Sequence, residues 1–127
     1  MQYVVVTTKS VGKIVEDLSI AVVNNKFGVL HVHNLYETMK SKGVEFDRQC
    51  QIVEICNPYK AKAILSEDIS FSTLLPCRIS VYEDGDVTKI ATVMPTKLQC
   101  IVGKNKTLND IAKDVEKIIV KIIDEAK

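Results

Sequence analysis

The chain has 127 residues, enough to bury one compact core and short of what two ordinary domains need, so residues 1–127 are read as a single domain. Seventeen Lys and Arg against sixteen Asp and Glu leave a formal net charge of +1 without any long basic run, and the electrostatic footprint of a nucleic-acid or anionic-membrane binder is missing. The opening MQYVVVTTKS lacks a basic n-region and an apolar stretch of leader length, and the greasiest later segment, IIVKIIDEAK, is broken by charge, so neither membrane targeting nor spanning is expected.

Residues 2–8, QYVVVTT, are β-branched and aromatic and predict a first strand. Ser10 is placed to cap a helix whose Val11, Ile14, Val15, Leu18 and Val22 recur on one face until Asn24, Asn25 and Gly28 end it. FGVLHVH reads as a second strand, and Asn34 with Glu37 resembles a capping box opening a short helix that ends by Gly43. CQIVEIC predicts the third strand. Asn57 then supplies an N-cap and Pro58 the first position of a helix over 58–67. CRISVYE and DVTKIATV are expected to pair as a hairpin turning at Asp84-Gly85. Pro95 ends the sheet, residues 96–102 suit a short helical segment, and Thr107 is expected to cap a last helix with the stripe Leu108, Ile111, Val115, Ile118, Ile119 and Ile122. This order predicts an α+β fold, a curved, mainly antiparallel five-stranded sheet with helices packed on one face.

Several phrases resemble a known family, domain of unknown function 302, along nearly the whole chain. They are Phe27-Gly28-Val29-Leu30, Cys56-Asn57-Pro58, Leu74-Leu75-Pro76-Cys77 and Val81-Tyr82-Glu83. The resemblance implies a fold like that of the TATA-binding protein and a homodimer, and it implies no reaction. Sharing that fold carries no DNA-binding expectation, because function resides in sites and the chain lacks the charge. A dimer is also expected from the strands, where QYVVVTT and QIVEI carry apolar residues at both parities and so leave a second sheet face to cover.

The four cysteines, at 50, 56, 77 and 100, show no Cys-x-x-Cys spacing and no disulfide-scaffold density; they read as reduced thiols, and a cytoplasmic location is expected. Cys56 and Cys77 are the catalytic candidates. Cys56 directly precedes a helix cap, where unpaired N–H groups and the dipole favour a thiolate, so its pKa is expected below that of a free thiol. Antiparallel pairing of the third and fourth strands would bring Cys77 close, unbridged, with strand alternation sending the two thiols to opposite faces. Asn57 and Glu83 are the ligand-binding candidates, Glu83 being placed at the rim of the apolar face. Cys50 and Cys100 are read as structural. His31 and His33 share one side of a strand, but two ligands fall short of the three or four that zinc takes, so no metal is assigned. No phosphate-binding loop, catalytic triad or cofactor motif is present, and no cofactor is expected. Two functions remain open: a thiol site for redox or sulfur transfer, and a non-catalytic module binding an unidentified small molecule or another protein.

Overall fold

The computed structural model describes residues 2–127. Strands β1 (Gln2–Thr7), β2 (Gly28–Asn34), β3 (Cys50–Cys56), β4 (Cys77–Asp84) and β5 (Val87–Val93) alternate with helices α1 (Val11–Asn24), α2 (Leu35–Ser41), α3 (Pro58–Glu67), α4 (Pro95–Leu98) and α5 (Lys106–Ala126). Short 3-10 helices cover Ile69–Leu74 and Gln99–Ile101. The five strands form one sheet in the order β1-β5-β4-β3-β2, and every neighbouring pair is antiparallel. The expected α+β class is therefore what the chain adopts.

Alternation along the strands builds the core. Val53 and Ile55 of β3, Ile79 and Val81 of β4 and Ile90 of β5 are fully buried on one face, against Ile14, Leu18 and Val22 of α1 and Val115, Ile119 and Ile122 of α5. Covering that face removes the apolar stripe of each helix from water, at roughly 25 cal/mol per Å² of area buried. The end of α5 is pinned across the sheet, where Tyr3 OH donates to Asp124 Oδ1 at 2.6 Å and Lys9 Nζ to the Ala126 carbonyl at 2.9 Å. A second, smaller cluster joins Ile64 of α3, Phe71 of the first 3-10 helix and Leu108 of α5.

Two local expectations shift. The last helix is capped by Asn105, whose Oδ1 accepts from Leu108 N at 2.9 Å, so Thr107 lies inside the first turn. Both residues are competent caps, and the one that turns the chain from extended backbone takes the role. The hairpin turns at Gly85-Asp86 rather than Asp84-Gly85: Asp84 still pairs with Val87, and only Gly85, at φ +65°, adopts the left-handed region. Glycine at the first central position is what a type II′ turn requires.

The other sheet face keeps several apolar side chains exposed. Val4 and Val6 of β1, Leu30 of β2 and Val93 of β5 stand exposed there, Val6 at 56% and Leu30 at 60%. Leu30 is the extra residue at a slip in the β2–β3 register between Val29 and His31.

Candidate functional site

A cavity of about 210 Å³ lies in the seam between the main core and the smaller cluster. Phe27, Ile55 and Val115 wall it from the main core, and Ile64, Leu75 and Leu108 from the smaller one. Both candidate thiols line it. Cys77 sits opposite Ile55 in the β3–β4 register, one position from Cys56, and the structure contains no disulfide. The sequence expectation of neighbouring, unbridged thiols is met, and the register gives Cys56 the parity opposite to Cys77 as alternation predicts, yet both residues border the one cavity. Cys77 points inward as alternation requires, packing against the core. Cys56 is the last residue of β3, and it borders both this cavity and a shallow outer groove with Gly28, Leu30 and Pro58. A strand-end residue at the turn into α3 belongs to neither face cleanly.

The expected thiolate at the helix mouth is overturned. Burial pushes the Cys56 thiol above its ordinary value, and Cys77 is pushed up to about 11 by burial first and then by the neighbouring Cys56, with Arg78 opposing. The cause lies in the cap itself. Pro58 has no N–H, Asn57 Oδ1 accepts from Tyr59 N at 3.0 Å and Lys60 N at 3.1 Å, and the Asn57 carbonyl takes Ala61 N at 3.0 Å. The first turn of α3 is thus left with no amide for a thiolate, and desolvation decides the shift.

Asn57 is equally committed at its other end, Nδ2 donating to the Lys26 carbonyl at 3.1 Å. It ties β3 and α3 to the turn that delivers Phe27. Glu83 is not part of this site. Six residues beyond Cys77 on β4, at about 3.3 Å per residue, place it roughly 20 Å away. There its carboxylate accepts from Gln49 N and its carbonyl from Arg48 Nε at 3.0 Å, so it closes the loop before β3.

His31 and His33 share the open face as expected, their ring centroids 4.3 Å apart. His33 Nε2 lies 2.8 Å from Glu54 Oε1, and Arg78 Nε lies 3.5 Å from Glu54 Oε2, forming a row across β2, β3 and β4. Hydrogen bonding to His33, opposed by burial and aided by the charges of His33, Arg78 and His31, holds the Glu54 carboxyl below its usual value. Among the described residues no group of three or more His, Cys, Asp or Glu is arranged to hold a metal ion. Cys100 is exposed and Cys50 half-buried.

Sequence reasoning missed Gln99, a buried glutamine in the cavity wall. Its Nε2 donates to the Thr96 carbonyl and to Asn109 Oδ1, both at 3.1 Å, while its Oε1 is buried without a hydrogen-bond partner among the described residues. A glutamine inside the short segment 96–102 gave no periodic signal to flag it. Arg78 and Lys60 also border the cavity, Lys60 Nζ lying 3.7 Å from Asp114 Oδ2. No helix among the described residues is long and apolar enough to cross a membrane.

An open antiparallel sheet backed by helices, with a mostly apolar cavity beneath a capped helix, defines an α+β domain. The profile of the family Domain of unknown function DUF302 matches residues 3–126, and the chain belongs to that family. A crystal structure of an uncharacterized conserved DUF302 protein from Bacillus stearothermophilus superposes with a TM-score of 0.93 at 30% identity, over 99% of this chain and 98% of that one. No curated protein matches significantly.

Proposed function

We propose that the domain binds a small, largely apolar molecule in the cavity under α3, and that Cys56 and Cys77 act there as neutral, polarizable lining. The observation that carries this reading is the cavity itself, apolar over most of its wall with a few polar groups converging on it, as ligand sites generally are. The residues behind the family resemblance support it: Phe27, Cys56, Asn57, Leu75, Pro76 and Cys77 all reach this one cavity although the chain brings them from three separate segments. A cavity of about 150 Å³ accepts benzene, so one of about 210 Å³ suits a body of roughly eight heavy atoms.

Thiol chemistry is the second reading, favoured by one observation: both thiols line the same cavity. Raised pKa values argue against a resting thiolate, so redox or sulfur transfer at this site would need the ligand to lower them. Reduced thiols fit a cytoplasmic setting. We further propose a symmetric homodimer through the open sheet face, whose exposed Val4, Val6 and Val93 form an apolar strip that a second copy would cover.

Toluene or indole titrated into the isotopically labelled protein tests the reading. Chemical-shift changes should centre on Ile55, Leu75 and Val115, and Ala61→Phe, which fills the half-buried mouth, should abolish them. Shifts spread over the open sheet face instead, or none at millimolar ligand, would overturn it.

A further inference from the structure

Gln99 places a polar requirement on whatever fills this cavity, an inference that rests on the ligand-binding reading above. Its side chain is more than nine-tenths buried, at 7% exposure, and it lines the wall next to Leu98 and Leu108. The amide orientation is fixed by its neighbours: Nε2 faces two oxygens, the Thr96 carbonyl and Asn109 Oδ1, and also lies 3.4 Å from Cys100 Sγ. Exchanging the two ends would set oxygen against the Thr96 carbonyl. Cys100 and Asn109 line a separate groove that Gln99 also borders, and Nε2 makes its side-chain contacts there, which leaves Oε1 as the end of the amide without a partner among the described residues. A buried acceptor without a donor is unfavourable, and evolved interiors seldom keep one without use.

We propose that the cavity is built for a compact, neutral, mostly aromatic or aliphatic molecule carrying one N–H or O–H donor, and that Gln99 Oε1 accepts this hydrogen bond. Oε1 is closed off from solvent, so contact requires the carboxamide to tip toward the cavity. An apolar body excludes water from the cavity, and a single acceptor turned toward it then discriminates sharply, because a ligand without a donor leaves Oε1 unpaired in a drier site. Arg78 and Lys60 do not select a charged ligand instead, as each already faces a carboxylate, of Glu54 and Asp114 respectively.

The test compares indole with benzofuran, which has the same size and shape with oxygen in place of the N–H, by calorimetry on the full chain. Indole should bind at least about fivefold more tightly, the equivalent of one ordinary hydrogen bond. Gln99→Met, which keeps bulk and removes the acceptor, should erase the preference while still binding benzofuran. If that variant fails to fold, the side-chain amide resonances of Gln99 in the wild-type protein serve instead, and they should move with indole and stay with benzofuran. Equal affinities would refute the donor requirement and leave the cavity reading intact. Tighter binding of indole-3-carboxylate than of indole would refute it in favour of the cations at the rim. Binding of neither indole nor benzofuran nor toluene would remove the cavity reading together with this one.

Discussion

Replacing Asn57 by alanine separates two roles that one side chain combines. Asn57→Ala removes the cap contacts to Tyr59 N and Lys60 N and the tie to the Lys26 carbonyl. Loss of a cap costs about 0.5–2 kcal/mol, and a further net hydrogen bond about 1 kcal/mol, so destabilisation of roughly 1.5–3 kcal/mol follows. With 127 residues at about 2.1 cal/mol/K each, the unfolding entropy is near 270 cal/mol/K and the midpoint falls by about 6–11 °C. The same change frees two amides beside Cys56, so its thiol pKa should drop from its raised value, reversing the effect of burial. Iodoacetamide labelling of Cys56 across pH, followed by mass spectrometry, reads this directly. A general loosening multiplies the rate by the same factor at every pH, whereas a changed pKa moves the midpoint of the profile. Asn57→Asp keeps the cap, adds a negative charge and should move the midpoint upward. A profile for Asn57→Ala that rises uniformly without a midpoint shift would refute the argument that the cap denies Cys56 its helix.

In the wild-type protein, alkylation should reach exposed Cys100 first and Cys77 last, because Cys77 is packed on the core and pushed up to about 11; early labelling of Cys77 near neutral pH would contradict its placement. Glu54, whose carboxyl is held below its ordinary value, contributes stability that is complete above that value and lost as pH falls through the depressed one. Denaturant titrations between about pH 6 and pH 3 should therefore show Glu54→Gln with a flatter acid limb than the wild type, and identical limbs would remove the His33–Glu54 contact as a stabiliser. Light scattering at micromolar concentration should give twice the chain mass, and Val6→Lys on the open face should halve it; a monomer in the wild type would end the dimer proposal.

The fold was largely legible because its elements carry strong periodic signals. Ile14, Leu18 and Val22 recur at helical spacing, Val53 and Ile55 alternate, and both sets reach the core. Cap chemistry located the start of α3 at Pro58 from the Asn57-Pro58 pair alone. The two displacements, Asn105 for Thr107 and Gly85-Asp86 for Asp84-Gly85, are choices between adjacent residues of nearly equal propensity. Tertiary geometry makes such choices, and local sequence does not hold that information.

The nearness of the two thiols was legible, whereas the place of Glu83 and the state of Cys56 were not, and Cys56 shows why. Its place in the chain, before an N-cap and a proline, reads as a thiolate position if the helix dipole is counted and the destination of each amide is not. Following the amides requires knowing that Asn57 Oδ1 accepts two of them. That is a rotamer, which sequence does not print. The inward placement of Cys77, by contrast, follows from alternation along β4 with Ile79 and Val81, and the register sets Ile55 opposite it. Gln99 is the converse case: nothing in its local sequence distinguishes a cavity-wall glutamine from a solvated one, and only the fold, by burying it and occupying its nitrogen, leaves Oε1 without a hydrogen-bond partner among the described residues. What the sequence did supply was the neighbouring placement of Cys56 and Cys77, which follows from antiparallel pairing of β3 with β4. A thiol whose helix is already capped gains no free amide from the helix mouth, and that is the physical ground on which the proposed binding reading ranks ahead of thiol chemistry.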